Sequence, residues 1–497
     1  MPVGPPRSTP TMLYQKPRLM IAALKGGSGK TLVSLGLLAA WRRFEQRSLV
    51  AFKKGPDYID AGWLALAAGP GHRCYNLDPF LMEPDAILRS FVTRGAAYDG
   101  ALIEGNRGLY DGVDAEGTCS SAELAKLLQT PVVLVVDVTK VTRTSAAMVL
   151  GCRELDPDVQ LAGVILNQVA GKRHETVVRE SIERYCEIPV VGVVPKAAGD
   201  FFPERHMGLV PTQEHPKIME AVAFAAEVMR DCVDLDRLWA IATTAAPLGW
   251  PLPVDKTVTA DGYPPVTIGV IRDSAFQFYY PENLEALEAA GGRLLMLSSL
   301  DLNRLPEVDA LYIGGGFPET HLELLANNQG FRDSVRKAVE GDLPVYAECG
   351  GLMYLSRGIH HDGRLYPMVG AFPCEVSLGR KPQGHGYTVA ECVAGNPFIP
   401  EGSIYRGHEF HYSRVINLDN DVDFALRLRK GHGIVKGRDG MCRHQALAVY
   451  SHLHAVGNDF WAEGVIRQAR LRRMASSAYA VGGAERKGEL RLNSSMS

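Results

Sequence analysis

Two stretches of the chain carry residue types at spacings that do chemistry. In Lys25-Gly26-Gly27-Ser28-Gly29-Lys30-Thr31 a glycine-rich turn follows one apolar run, Leu19 to Leu24, and precedes another, Leu32 to Ala40. That order reads as strand, turn and helix. Such a turn points successive backbone N–H groups into one concavity, and the helix start adds its positive dipole end, so Lys25, Gly27 and Gly29 suit the phosphates of ATP. Lys30 can reach the terminal phosphates, and the Thr31 hydroxyl can ligate Mg²⁺. In Pro344-Val345-Tyr346-Ala347-Glu348-Cys349-Gly350-Gly351-Leu352, a cysteine stands at a strand-to-helix junction between glycines. A tight turn there holds the sulfur proud of the sheet, and the helix start favours the thiolate, the reactive form. The other cysteines lack this setting and read as buried packing residues. A thiolate needs a base, and Ser451-His452-Leu453-His454 follows the run Ala446–Tyr450, so either histidine can be presented at the same sheet edge. Gly314-Gly315-Gly316-Phe317-Pro318-Glu319 follows the run Ala310–Ile313 and offers the backbone N–H groups of Gly315 and Gly316 to an oxyanion.

A bound nucleotide brings a cation, and Mg²⁺ wants oxygen ligands. Two acidic stretches follow apolar runs, where an open parallel sheet gathers its ligands. They are Lys53-Lys54-Gly55-Pro56-Asp57-Tyr58-Ile59-Asp60 and Glu104-Gly105-Asn106-Arg107-Gly108-Leu109-Tyr110-Asp111-Gly112. Asp57 and Glu104, with Thr31, are the expected Mg²⁺ ligands. Lys53, with Lys30, is expected to offset charge on a transferred phosphoryl group. His408, Glu409 and His411 lack the i, i+4 spacing of a zinc-binding helix and are read as structural or substrate-facing.

The elements that must position these groups alternate. Short apolar strands are expected at Leu19–Leu24, Ser48–Phe52, Gly100–Ile103, Val132–Val136, Leu161–Leu166 and Val190–Val194, with helices at Thr31–Phe44, Glu123–Leu128 and Glu175–Tyr185. A closing helix is expected across Lys217–Thr244. This alternation implies an α/β fold with a mainly parallel sheet covered on both faces. A Pro-rich stretch, 245–265, reads as a linker. Beyond it a second alternating unit is expected, with strands at Val266–Ile271, Arg293–Leu297, Ala310–Ile313 and Val345–Ala347 and helices at Pro281–Ala290 and Phe331–Glu340. The expected organisation is a flexible arm (1–17), a P-loop synthetase domain (18–244), the linker, a second doubly wound domain (266–475) and a disordered tail (476–497).

Composition bounds the class. The 497 residues suffice for two or three domains, and 46% hydrophobic with 22% charged residues is ordinary for globular chains. A net charge of −3 without a long basic block gives no reason to expect nucleic acid or an anionic membrane as partner. No apolar run approaches the roughly 18–20 residues a bilayer span requires. Met1–Lys16 holds four prolines and no apolar core, unlike a secretory signal. Nine scattered cysteines without a C-x-x-C pair argue for a reducing, cytoplasmic setting.

The P-loop, with Leu24 where the first glycine of G-x-x-x-x-G-K-[ST] belongs, resembles the deviant K-G-G-x-G-K-T form of MinD/ParA-like ATPases. K-x-G-P-D-Y-I-D and E-G-x-x-G-L-Y-D-G resemble the signatures of cobyrinic acid a,c-diamide synthases. So do Asp137 after Val132–Val136, and Gly163-Val164-Ile165-Leu166-Asn167. In the second unit, Cys349, the glycine loop and the distal histidine resemble a class I (triad-type) glutamine amidotransferase. Asp273–Phe276, Tyr280–Leu284 and Gly407–Ser413 are typical of the cobyrinate branch. The resemblance spans roughly residues 18 to 470. It implies ATP-dependent amidation of the a- and c-acetates of a tetrapyrrole, with glutamine as nitrogen donor and a homodimer as one assembly. It further implies that Asn167 reads adenine, that Tyr58, Asp60 and Asp111 orient substrate or ammonia, and that His452 is the base. Most triad amidotransferases carry H-x-E; here His454 takes the third position, so a Cys–His dyad is expected. The altered P-loop, and Asn106-Arg107 in place of the commoner V-M, are compatible with a side branch acting on sirohydrochlorin or its nickel form. A ParA/MinD-like regulatory ATPase is the rival of another class, and the intact Cys349 stretch argues against it.

Overall fold

Unbroken apolar runs are what strands covered on both faces require. In the computed structural model these runs form the centre of a seven-stranded sheet. Its spatial order is Cys74–Leu77, Leu49–Lys54, Gly100–Glu104, Arg18–Ala23, Val132–Asp137, Leu161–Val169, Val190–Pro195. Every pairing in it is parallel. The structure describes residues 11–196, 204–205, 208–215, 217–251, 264–420 and 422–475. The chain divides into two units, Met1–Lys256 and Thr257–Ser497, and the division falls within the stretch expected as linker.

In the first unit the helix after the glycine turn runs Lys30–Phe44, and helix Ile218–Cys232 packs along it. The single closing helix expected over Lys217–Thr244 is two helices, Ile218–Cys232 and Leu235–Thr243. The chain turns extended at Val233, and the Asp234 carboxylate caps the second helix by accepting from the Arg237 amide at 2.9 Å. The arm and linker also depart from expectation. Thr11–Tyr14 pairs antiparallel with Leu248–Pro251, Thr11 opposite Pro251 and Tyr14 opposite Leu248. Apolar burial explains the pairing: Tyr14 and Leu248 are both buried, and the Tyr14 ring meets Phe91 edge-on at 5.5 Å. Residues 1–10, 252–263 and the expected tail 476–497 lie outside the described residues.

The second unit is built on a ten-stranded mixed sheet. Five neighbouring strands, Gly292–Leu297, Val266–Ile271, Ala310–Ile313, Val345–Glu348 and Ala446–Val449, are parallel. The sheet then continues antiparallel through Arg438–Arg443, Asp423–Lys430, Gly384–Cys392, Ile404–His411 and His452–Leu453. A four-stranded sheet, Arg364–Pro367, Gly358–His361, Glu375–Leu378 and Ser413–Ile416, stands beside it. One apolar core holds Phe331, Leu352 and Tyr354; the other holds Tyr312, Tyr346 and Trp461. Both pack on the parallel strands, whose ends carry the glycine loop, Cys349 and the segment leading to His452.

Candidate active site

In the first unit the groups named from sequence gather at the carboxyl ends of the parallel strands, as an open α/β sheet dictates. Gly27 and Gly29 have φ of +72° and +89°. Gly29 is required twice over: a Cβ there would lie 2.2 Å from Asn167 Nδ2. Thr31 Oγ1 donates to Glu104 Oε1 at 3.2 Å. The Lys53 ammonium is 2.5 Å from Glu104 Oε1, 2.7 Å from Asp60 Oδ2 and 3.9 Å from Asp57 Oδ2. Burial acts against that charge, but Asp60, Glu104 and Asp57 outweigh it and hold the ammonium well above its ordinary value. Asp57 moves the other way: burial and the neighbouring Asp60 carboxylate push it up to about 7. Lys30 donates to the Arg107 carbonyl at 2.7 Å, and burial lowers its pKa against the pull of Glu104.

Other expected residues sit differently. Asn167, expected at adenine, is buried and donates to the Ser28 carbonyl of the P-loop at 2.9 Å. Asp111, expected to face substrate, accepts from the Gly108 amide at 2.8 Å and so closes its own turn. Asp60 is bound up with Lys53. Tyr58 stands half-buried at the start of helix Ile59–Ala68. Lys25 is exposed, 3.8 Å from Asp137. Glu104 Oε2 is buried without a hydrogen-bond partner, which is what a cation ligand looks like before it meets its ion. Among the described residues no cluster of three or more His, Cys, Asp or Glu is placed to hold a metal. Mg²⁺ does not need one, since it takes one or two carboxylates and completes its shell with phosphate and water. Thr31, Glu104 and Asp57 fit that pattern.

In the second unit Cys349 adopts φ 49°, ψ −99°, a strained conformation for a non-glycine residue, and the short helix Gly350–Leu355 begins after it. Its amide donates to the Val449 carbonyl at 2.7 Å, which ties the elbow to the strand leading to His452. Gly315 lies between the two groups. A Cβ on it would meet His452 Cε1 at 2.6 Å and Nε2 at 3.3 Å, and a Cβ on Gly350 would lie 3.1 Å from the Gly316 amide nitrogen. The expected oxyanion loop is therefore packed between nucleophile turn and base. The expected ease of forming the thiolate is not met in the resting state. Cys349 is only 6% exposed, and burial, with Glu319, raises the thiol far above its ordinary value despite the Gly350 amide. Ionisation here requires handing the proton to a partner rather than to water.

His452 is that partner, but not as half of a dyad. Its Nδ1 lies 3.2 Å from Glu348 Oε2. Its ring also stacks on His408 at 5.0 Å and 22°. Sequence reasoning passed over Glu348 and His408; their only signal was a charged residue at the end of an otherwise apolar strand and a histidine on an alternating one. His411 and Glu409 are structural, as read: Glu409 accepts from the His432 and Gly433 amides, and His411 Nδ1 bonds the Ser413 carbonyl.

Comparison with known proteins agrees with both halves. The CobQ/CobB/MinD/ParA nucleotide binding domain matches residues 19–209. The CobB/CobQ-like glutamine amidotransferase domain matches residues 267–460. The cobyrinate a,c-diamide synthase of Magnetococcus marinus is 44% identical over 468 residues, 93% of this chain and 99% of that protein. That of Archaeoglobus fulgidus is 40% identical over 456 residues, 91% of this chain and 97% of its own. That of Methanosarcina barkeri is 37% identical over 483 residues, with 91% and 96% covered. With both domains matched in order and these relatives covered almost end to end, the chain belongs to the cobyrinate a,c-diamide synthase family.

Proposed function

We propose that this chain is a glutamine-hydrolysing ligase that converts the a- and c-acetates of cobyrinate to amides at the expense of ATP. The observation that carries the reading is a strained, buried Cys349 beside a glycine loop and His452 in one unit, with a P-loop and the Glu104–Lys53 cluster in the other. In the second unit, Cys349 Sγ attacks the carboxamide carbon of glutamine while His452 Nε2 takes the thiol proton. The Gly315 and Gly316 amides face the oxygen that gains charge. His452 returns the proton to the leaving nitrogen, so ammonia departs and a glutamyl thioester remains for water to cleave. In the first unit, a substrate carboxylate oxygen attacks the γ-phosphorus, which releases ADP and leaves an acyl phosphate. Ammonia then attacks the acyl carbon and phosphate leaves, where hydroxide would not. Lys30 and Lys53 offset phosphoryl charge, Asn167 reads adenine once its bond to Ser28 is exchanged, and Tyr58, Asp60 and Asp111 order the substrate end. Thr31, Glu104 and Asp57 would hold Mg²⁺, which when bound neutralises phosphate charge.

ATP, glutamine and the tetrapyrrole suffice as ligands; neither nucleic acid nor membrane is required, and a homodimer is compatible with the scheme. Among the described residues no helix is long and apolar enough to cross a membrane. All nine cysteines are free, which suits the cytoplasm. A second reading, the same reaction on sirohydrochlorin or nickel-sirohydrochlorin, is favoured by Arg107. This exposed cation has φ +51° and its carbonyl engages the P-loop lysine. One assay tests both readings: cobyrinate, sirohydrochlorin and nickel-sirohydrochlorin offered side by side, with products identified by mass. Cys349→Ala is expected to lose glutamine-dependent amidation and to keep it with free ammonia. If ammonia does not rescue the variant, the two-site scheme is wrong.

A further inference from the structure

Two histidines follow the last strand, and each has its own buried acid. His454, at the position where H-x-E chains carry glutamate, is wholly buried. Its Nε2 lies 3.6 Å from Glu282 Oε1, and its ring lies against Tyr280 at 4.6 Å. His452 has Glu348, which is 1% exposed and sits on the end of the nucleophile's own strand. Resting on the amidotransferase reading above, we propose that Glu348 is the positioning carboxylate of His452, supplied by the residue just before the nucleophile and not by one that follows the base.

Three features carry this. Successive side chains at a strand end point to opposite faces. With Cys349 lifted at the turn, the preceding side chain is directed into the sheet face that His452 also meets. Next, a carboxylate so deeply buried is costly unless each oxygen finds donors. Glu348 Oε2 accepts from Tyr312 OH at 3.3 Å as well as lying against His452 Nδ1, and Oε1 accepts from the Leu453 amide at 3.4 Å. The last of these bonds binds the acid to the backbone of the histidine's own neighbour, so ring and acid are fixed as one body. Finally, the tautomer follows. With Nδ1–H donating to Glu348, the lone pair is on Nε2, on the side of the Gly315 loop. The groups facing His452 agree with this. Stacked His408 is buried and driven far below its ordinary pKa by burial, then by His452 and His454, so it stays neutral. Tyr312 keeps its proton, because burial and Glu348 both raise it. Glu348 is thus the counter-charge for the imidazolium that forms when Cys349 ionises.

The test uses the full chain and three readouts: glutamate release across pH, amidation with free ammonia, and the rate of Cys349 alkylation by iodoacetamide across pH. Glu348→Gln is expected to lower glutaminase kcat by about 10- to 100-fold with KM within about twofold. The alkaline limb of its profile and the alkylation curve are expected to move, the limb downward by about one pH unit, as the imidazolium loses its partner. Ammonia-dependent amidation is expected to stay at the wild-type rate, and Glu348→Asp to recover part of the loss. Wild-type-like glutaminase in Glu348→Gln, or a loss with unmoved pH limbs that Glu348→Asp does not recover, overturns the proposal. Should the variants not fold, nitrogen NMR of the wild-type imidazoles decides: a proton on His452 Nδ1 supports the assignment, and one on Nε2 in the neutral ring overturns it. A wild-type chain with no glutaminase activity at all instead defeats the amidotransferase reading on which this rests.

Discussion

Gly315→Ala isolates the spacing between oxyanion loop and base. Gly315 does not use a positive φ, so alanine fits the backbone and the entire cost falls on the new methyl group. That methyl would stand 2.6 Å from His452 Cε1, 3.3 Å from Nε2 and 3.4 Å from Phe278 Cβ. Carbon atoms settle at about 3.5–4.0 Å, so the ring or the loop must retreat by about 1 Å. The ring is held on its far side at 3.2 Å by Glu348 and flanked by His408, so retreat stretches the bond that sets its tautomer. A misplacement of about 1 Å between reacting groups costs on the order of 100-fold, or about 2.7 kcal/mol of barrier. Glutamate release from glutamine is therefore expected to fall by about that factor, with ammonia-dependent amidation kept as the internal control for folding. If Gly315→Ala releases glutamate at more than half the wild-type rate, the loop does not sit against the base in the working enzyme, and the geometry argued here is wrong.

The first unit invites a charge test. Lys53→Met leaves Glu104 and Asp60 buried without their cation, so it is expected to destabilise by about 3–5 kcal/mol in urea unfolding and to abolish amidation from either nitrogen source while glutaminase survives. MgATP is expected to restore part of the stability, and an unchanged unfolding midpoint would refute the role given to Lys53. The second unit invites a pH test. Burial alone would raise Glu409, but His411 and the Gly433 and His432 amides outweigh it and bring it down to about 2. A depressed acid contributes stability above its unfolded value, near 4.5, and that contribution is lost as pH falls through about 2. Acid titration of unfolding is expected to show a loss on the order of 3 kcal/mol over that window, and Glu409→Gln to flatten it; an identical acid limb in both proteins would refute the assignment.

The parts of the fold that could be read beforehand share one property. Strands such as Val132–Asp137 and Val345–Glu348 are buried on both faces, so their apolar runs are continuous. The antiparallel half of the second sheet has no such mark. Gly384–Cys392 alternates buried and exposed positions, and Asp423–Lys430 carries four charged residues among its eight, so both resemble polar loops in a one-dimensional reading. Cys74–Leu77 is too short to show a period. At the site, Lys30, Thr31, Glu104 and Cys349 are legible because local turn chemistry dictates them. The pairing of His452 with Glu348 is not, since 104 positions separate them and only the sheet brings them side by side. Asn167 shows the opposite limit: its place beside the P-loop was foreseeable, its bond to Ser28 was not.

The ribbon between Thr11–Tyr14 and Leu248–Pro251 gives the first unit a mechanical property. The outermost rungs join Thr11 to Pro251, at the end where both strands leave the ribbon. A pull transmitted along the chain from residue 252 onward therefore loads those rungs first and opens them one after another, as a zipper opens. The parallel sheet bearing Lys30 and Glu104 feels no tension until the last rung, Tyr14 with Leu248, has parted. The ribbon is a fuse, and peeling it is the softest large excursion the first unit can make without disturbing its phosphate site.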